Sequence, residues 1–335
     1  MSVYLLRRFA MMLVTFFGIT LVVFTMTRVI PADPARAAAG VGASPQTVAM
    51  IRHELGLDRP LLTQYLFYMR DLSRGSLGKS VYSRKPVATE VLRYLPATIE
   101  LAMTSFLVLC LVGIPLGILA ATHRGHAVDV VTRIAAVGST ALPIFWLALI
   151  LQFIFFYHLH WFPIIGRSGG IALRPEHITG FYVFDALITW NWPALVDTLR
   201  HMFLPLVTLV ASRLAVVVRL TRVCVLEVLS EDYVRTARAK GVPNSRIVYK
   251  HVLRNAAGPI VTELGMQLAW MLGGSAVAEA IFVWPGLAYF ALLGMASVDY
   301  NVIMAFTLVF ALIFLLSNLL VDVICALLNP KIRLE

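Results

Sequence analysis

Apolar positions along this chain gather into long unbroken runs rather than the short alternations of a water-facing domain. A run of about 20 apolar residues can cross the hydrocarbon core of a bilayer as a helix. Six such runs stand out, at residues 9–30, 97–121, 134–157, 202–222, 258–283 and 301–327. The fourth carries a charge in its middle, Arg213. The first run follows Arg7-Arg8 and precedes small residues at 35–40, which is the outline of a signal peptide. Its apolar core is longer than the roughly 7–15 residues of a signal, and further runs follow, so it reads as an uncleaved first helix. With no soluble chain behind it, the arginine pair does not make a twin-arginine signal.

Two polar segments have patterns of their own. In segment 31–96, Ser44-Pro45 is an N-cap with proline at the first helical position, and Gly56 is a stop signal. Val48, Ile51, His53 and Leu55 between them are loosely amphipathic, and a second short helix is expected over 61–72. Such a lobe could offer a surface to an outside partner or simply cap the bundle. The other segment reads Glu231-Asp232-Tyr233-Val234-Arg235-Thr236-Ala237-Arg238-Ala239-Lys240-Gly241-Val242-Pro243. Asp232 is placed to cap a helix that Gly241 and Pro243 stop, and a second helical run covers 245–255. Two short helices meeting at a glycine would lay one across the membrane plane. Thr236, Ala237 and Ala239 would allow close approach to another surface, and Arg235, Arg238 and Lys240 would supply charge-assisted contacts. The plain alternative is a solvated basic loop.

Composition agrees with the pattern. Of 335 residues, 59% are hydrophobic and 14% charged, against about 25% charged in soluble domains. Mean hydropathy is +0.82. A soluble two-domain protein and a disordered chain are both excluded. Cys110, Cys224 and Cys325 are far apart in or beside apolar runs, so neither a disulfide framework nor a zinc cluster is indicated. The net charge of +10 fits cationic loops at a membrane better than nucleic acid. With the N-terminus inside, segments 1–8, 122–133, 219–257 and 328–335 hold 14 Lys and Arg in 67 residues; the outer segments 31–96, 158–201 and 284–300 hold 12 in 127. The positive-inside rule therefore puts both termini in the cytoplasm.

Several features have ordinary readings. Gly75-Ser76-Leu77-Gly78-Lys79-Ser80 imitates a phosphate loop, but Ser73 stands where that motif needs its first glycine, so no nucleotide site is expected. His158 and His160 flank Tyr157 and Trp161, an interfacial setting rather than a metal site. His123, His126 and His251 read as solvated or packing residues, and Pro115 between glycines reads as a kink. Ionisable groups inside membrane helices are functional candidates by default. Here these are Arg213 and Glu279, as residues of a translocation pathway, with Glu100 and Glu263 near run ends; interhelical pairing is the competing role.

The segment 231–243 closely resembles the cytoplasmic coupling loop of permease subunits of bacterial ABC importers, in the peptide and nickel branch. Counted back from Gly241, Arg235-Thr236-Ala237 stands where the wider family has Glu-Ala-Ala, and Arg-Thr-Ala-Arg-Ala-Lys-Gly is similar to the peptide branch. The resemblance runs on through Arg28-Val29-Ile30-Pro31-Ala32-Asp33-Pro34, Glu54-Leu55-Gly56-Leu57-Asp58-Arg59-Pro60, Gly113-Ile114-Pro115-Leu116-Gly117, Pro143-Ile144-Phe145-Trp146, Trp161-Phe162-Pro163, Glu279-Ala280-Ile281-Phe282-Val283-Trp284-Pro285-Gly286-Leu287 and Asn329-Pro330-Lys331-Ile332-Arg333. It is most like the first permease subunit of dipeptide transporters.

That resemblance implies an all-α integral membrane protein of the type I ABC importer transmembrane fold, with six transmembrane helices in the bacterial inner membrane and both termini cytoplasmic. Residues 1–96 would form the first transmembrane helix and an extracytoplasmic lobe. Residues 97–335 would form a five-helix permease core with its coupling loop at 223–257. Asp232, Tyr233, Arg235, Thr236, Ala237, Arg238, Ala239, Lys240 and Gly241 would couple to the ATPase. The chain itself would bind no cofactor and catalyse no reaction. ATP and Mg would sit on two ATP-binding partner subunits, beside a homologous second permease and an extracytoplasmic substrate-binding protein. Substrates of that branch are dipeptides or short peptides, with nickel or metal chelates, glutathione and opine-like conjugates as alternatives. An ion-gradient-driven secondary transporter is the rival class; it would call for intramembrane acids and often an inverted repeat, and no clear repeat is visible.

Overall fold

Backbone that passes through hydrocarbon must pair its own amides and carbonyls, which helices do within one segment. The regular structure of this chain is helical accordingly. The computed structural model describes residues 2–29, 34–40, 42–54 and 56–328. In order the helices are α1 (Ser2–Val29), α2 (Pro34–Ala39), α3 (Pro45–Glu54), α4 (Leu61–Ser73), α5 (Val87–Thr122), α6 (Ala127–Ala141), α7 (Ile144–Leu151), α8 (Tyr182–Ile188), α9 (Trp192–Leu229), α10 (Asp232–Ala239), α11 (Asn244–Arg246), α12 (Leu253–Ile281), α13 (Leu287–Ala296) and α14 (Tyr300–Leu328). Two π-helical turns, Gln152–His158 and Ile247–Val252, extend α7 and lead into α12. Among the described residues, four helices are long and apolar enough to cross a membrane: α1, α5, α9 and α14.

Helix contacts fix the course of the chain. Arg8 pairs with Asp322 at 3.1 Å and Thr27 reaches Met304, so α1 and α14 are antiparallel. Gly113 and Gly117 lie against Val217 and Thr221, which makes α5 and α9 parallel. Gly265 and Gly273 meet Val321 and Phe310, so α12 runs opposite to α14. Within the described residues the chain thus runs between the two ends of the bundle along α1, α5, α6 with α7, α9, α12 and α14. One end holds Arg8, Asp322 and the α10 region; the other holds the lobe of α2–α4, α8 and α13.

The expected runs map onto these passes with three differences. The third, expected as one helix over 134–157, is divided: Pro143 forces the preceding Leu142 out of the helical region (φ −92°, ψ 135°). Helices α5 and α9 begin about ten residues before their apolar runs. In α9 the reason is local, since Asn191 Oδ1 accepts from the Ala194 amide at 3.1 Å with proline following at 193. Helix α13 lies in the outer segment 284–300, where no helix was expected. In the lobe, Ser44 Oγ accepts from the Thr47 amide at 3.2 Å, as its capping pattern predicts, and Gly56 takes φ +63°. Leu55, Ile30–Asp33 and the closing Asn329–Arg333 motif lie outside the described residues.

Glycines in α5 serve close approach. A Cβ on Gly113 would stand 2.9 Å from Val217 Cγ1, and one on Gly117 would stand 2.9 Å from the Val218 carbonyl oxygen. The pair is spaced as a small-x-x-x-small face, which lets helices touch where lipid gives no hydrophobic drive. Replacing Gly117 by leucine should therefore cost about 1–3 kcal/mol by overpacking. Gly138→Leu, in open space on α6, should be nearly neutral. Melting curves of the detergent-solubilised chain by fluorescence-detected size exclusion would separate them; equal shifts would contradict the packing role.

Candidate functional site

The segment singled out by its sequence forms α10 and projects from one end of the bundle. Glu231, in extended conformation, precedes the helix and makes no capping bond. Asp232 is therefore a first-turn residue rather than the cap expected from sequence, favourable to the helix dipole. Thr236 donates its hydroxyl to the Asp232 carbonyl at 3.0 Å, and Gly241 ends the turn at φ +73°. Val234 is fully buried in a cluster with Ile118, Ala121, Cys224, Val225 and Ile247, with Ala237 packed on the same side. The outward face is Tyr233, Arg235, Thr236, Arg238, Ala239 and Lys240. Ala237 thus faces the bundle and leaves the small outer face that the sequence suggested. Arg235 pairs with Asp232 at 3.2 Å in open solvent, a contact of little weight. Tyr233 accepts from Asn255 Nδ2 at 2.8 Å.

Beside α10 lies an ion pair that sequence reading did not single out. Arg222 on α9 donates Nε and Nη2 to the two Asp129 carboxylate oxygens at 2.8 and 2.9 Å. Asp129 also accepts from the Gly125 amide. This two-pronged geometry ties the start of α6 to the stretch of α9 that carries Cys224 and Val225, directly under α10. The two residues are 93 apart in sequence, and nothing local signals their pairing.

Inside the bundle, the Arg213 guanidinium lies over the Trp270 ring, 3.0 Å from its centroid. Glu263 is the acid acting on it electrostatically, and Glu263 in turn accepts from Gln267 Nε2. Arg213 Nε and Gln267 Oε1 are buried without hydrogen-bond partners among the described residues. Of the sequence candidates, Arg213 and Glu263 both belong to this region without forming an ion pair among the described residues; Trp270 and Gln267 are additions that only their i+3 and i+4 steps on α12 could have hinted at.

Glu279 and Glu100 belong to the opposite end. Glu279 is fully enclosed. Its Oε1 accepts from the Thr98 and Ser275 hydroxyls at 2.8 and 3.0 Å, and its Oε2 from the Ala288 and Tyr289 amides at 2.9 and 3.0 Å. A Cβ on Gly286 would collide with this carboxylate, so the glycine of the 279–287 motif is needed for the close approach. Glu100 pairs with Arg167, accepts from the Val183 amide at 2.7 Å, and faces a guanidinium stacked 3.7 Å over Tyr182. Arg167 also donates to the Gly180 carbonyl. The false phosphate loop docks on α14: Asp299 Oδ2 accepts from Ser80 Oγ and the Val81 amide at 2.7 and 2.6 Å, and Asn301 donates to the Lys79 carbonyl.

A second carboxylate nest holds the outer loop. Burial pushes the Asp185 carboxyl up, but the Thr179 hydroxyl and the amides of Thr179, Gly180 and Ile178 outweigh it and leave it below the usual carboxylate range. A depressed carboxylate stabilises above its unfolded value, about 3.9, and loses that contribution as pH falls through the folded one. Amide-exchange protection at Thr179 and Gly180, corrected for intrinsic rates, should hold from pH 7 to 5 and fade below about pH 4. Asp185→Asn should lack it already at pH 7; protection that ignores pH would refute the nest.

Taken together, a polar-sparing helical bundle, buried carboxylate clamps at one end and a basic amphipathic helix exposed at the other describe a membrane-embedded helical protein. Comparison with known proteins gives the family. Residues 113–334 match the family described as binding-protein-dependent transport system inner membrane component, and residues 1–102 match its N-terminal companion. The chain belongs to this family. It is 39% identical over 331 residues, 98% of each chain, to the di/tripeptide transport system permease protein DppB of Pseudomonas aeruginosa. It is 39% identical over 333 residues, 98% of each chain, to the dipeptide transport system permease protein DppB of Escherichia coli K12. The glutathione transport system permease protein GsiC of Escherichia coli O6:H1 is 38% identical over 330 residues, again 98% of each chain. Among solved structures, the inward-facing MetNI methionine ABC transporter superposes with a TM-score of 0.54 at 16% identity, covering 71% of this chain and 96% of that one. The fold is therefore that of a type I ABC importer transmembrane domain.

Burying a charge without a partner is costly, so Val234→Asp should lift α10 from its cluster while every outward residue stays in place. Limited proteolysis at 235–241 should accelerate at least tenfold against wild type, and Val234→Ile should not change it. An unaltered cleavage rate in the aspartate variant would contradict the buried seat.

Proposed function

We propose that this chain is one permease subunit of an ATP-driven importer that moves dipeptides or short peptides across the inner membrane. The observation that carries the reading is the match to dipeptide permeases over 98% of both chains. The exposed basic face of α10 supports the coupling part: Arg235, Arg238 and Lys240, flanked by Tyr233 and Thr236, would dock on an ATPase subunit, with Asp232 and Gly241 setting the two helix ends and Ala237 seating it. Ala239 would allow close contact. In this reading all six passes cross the bilayer, both termini are cytoplasmic and the lobe is outside. A homologous permease completes the pathway, two ATPase subunits bind ATP and Mg, and a substrate-binding protein delivers from outside.

Arg213 is the chain's proposed pathway residue, a fixed cation suited to a peptide carboxylate, with Glu263 opposite. Glu279, also marked from sequence, has all its acceptor capacity engaged by four donors, which argues for a clamp beside the pathway rather than a contact in it. Glutathione is the second reading, resting on the GsiC relative; its γ-linked tripeptide carries the same end groups.

Co-purification of the tagged chain from native membranes should recover a second permease, ATPases and a binding protein. In proteoliposomes rebuilt from that complex, dialanine uptake should require ATP and be blocked by vanadate. Arg235→Glu with Arg238→Glu should cut ATPase co-purification and uptake at least tenfold. Unchanged assembly, or uptake that ignores vanadate and collapses with an uncoupler, would replace this reading with a gradient-driven carrier. Competition between dialanine and glutathione ranks the two substrates.

A further inference from the structure

We propose that the lobe carries a ligand site of its own: a cavity between α4 and the start of α14 that takes a small molecule bearing both a carboxylate and an N–H donor, as the ends of an amino acid or short peptide do. The cavity measures about 380 Å³, inside the range of roughly 300–1,000 Å³ usual for small-molecule sites. It is separate from Arg213 and from α10, and it does not depend on which substrate the pathway carries.

Gln64 on α4 defines its polar demand. This side chain is nine-tenths buried and lines the cavity. Its Nε2 spends both hydrogens on the Leu57 and Arg59 carbonyls, at 3.2 and 2.7 Å. Those two acceptors fix which way the amide points, so Oε1 is a committed acceptor, and it has no partner among the described residues. One turn on, the Tyr68 hydroxyl is buried and also unpartnered among the described residues. Buried polar atoms are satisfied in the great majority of cases, and two orphans on one cavity wall point to a group that comes and goes.

The charges at the mouth supply the other half. Arg59 and Arg70 both lie over the Phe67 ring, with guanidinium carbons 4.7 and 4.6 Å from its centroid. Arg70 shares its charge with Asp71 at 3.2 Å, while Arg59 forms no ion pair among the described residues. Asp58, next to Arg59, acts on it electrostatically but does not line the cavity, whose own charged walls are Arg59, Arg70 and Asp71, a set that favours a carboxylate over a bare cation. A carboxylate alone would leave Gln64 Oε1 unserved, so the ligand also brings an N–H. Met304 and Leu308 form an apolar side suited to a small aliphatic side chain.

The test uses the full permease–ATPase complex in nanodiscs, without binding protein or ATP, and radiolabelled L-alanyl-L-alanine in equilibrium dialysis. Saturable binding is expected, weakened at least tenfold by Arg59→Ala and severalfold by Tyr68→Phe, and unaltered by Arg174→Ala, which removes an exposed arginine elsewhere. Gln64→Leu should also lose binding, and because its amide tethers the loop, Tyr68→Phe stands as the variant that removes only an orphan hydroxyl. Dialanine amide and acetate should each compete at least tenfold less well than dialanine. Absence of saturable binding, or binding indifferent to Arg59 and Tyr68, overturns the proposal. In a separate pull-down with the substrate-binding protein, weaker docking on Arg59→Ala without any dialanine binding also overturns it and assigns the cavity to a protein side chain. Uptake is not read in this assay, so its failure is distinct from failure of the peptide-import reading.

Discussion

A polar group that leaves water for a bilayer-embedded bundle must find its partner within protein, because lipid offers none and each orphan costs several kcal/mol. At the lobe end this constraint is met by carboxylates with several donors each. Glu279 draws on α5, α12 and the first turn of α13 at once. Asp299 draws on the loop before α5, and Asp185 on the loop before α8. Glu100 with Arg167 joins α5 to the long outer segment. Because Gly180 is held by Asp185 and also accepts from Arg167, two of these clamps share a residue. Removing one would leave the other with a buried, underpaired group.

The α10 end is built on a different principle. There the attachment is mostly apolar, with Val234 seated among residues of α5, α9 and the π-helical turn before α12. Apolar packing has no directional demand, and a π-helical turn at 247–252 interrupts the regular ladder at the same place. Directed links are added by Asp129 with Arg222, from α9 to α6, and by Asn255 with Tyr233, from α12 to α10. With α10 docked on an ATPase subunit as proposed, a displacement of this helix would therefore pass into α9 and α12 by packing and into α6 by the ion pair. The division of the third pass at Pro143 leaves α6 and α7 as separate rods.

Two sites ask for the same ligand chemistry at different depths. Arg213 with Glu263 lies along α9 and α12, and Arg59 with Gln64 lies in the lobe. Among the described residues each has an unpartnered amide oxygen, Gln267 Oε1 near Arg213 and Gln64 Oε1 in the lobe, and Arg213 adds an unpartnered donor. Orphaned atoms also occur away from both, at Ser105, Arg167, Thr198 and Thr221, so it is the charge and the cavity beside Gln64 and Tyr68, and the cation at Arg213, that single out these two places.

Much of this was legible in the residues alone. Apolar run length set the class of protein, because hydrocarbon thickness is a fixed ruler. The spacing of Asp232, Gly241 and Pro243 set the α10 helix, and the ordered motifs set the family. Local chemistry also placed Ser44 and Gly56 at the ends of α3. What the linear order could not supply was any pairing across long separations: Asp129 with Arg222, Glu100 with Arg167, Asp299 with Ser80, Arg213 with Trp270. Nor could it say that Glu279 is clamped while Arg213 keeps an unpaired nitrogen, or that Ala237 turns inward. Those outcomes depend on which helices lie side by side, and that is settled by shape, with Gly113 and Gly117 admitting α9, rather than by any signal carried within one segment.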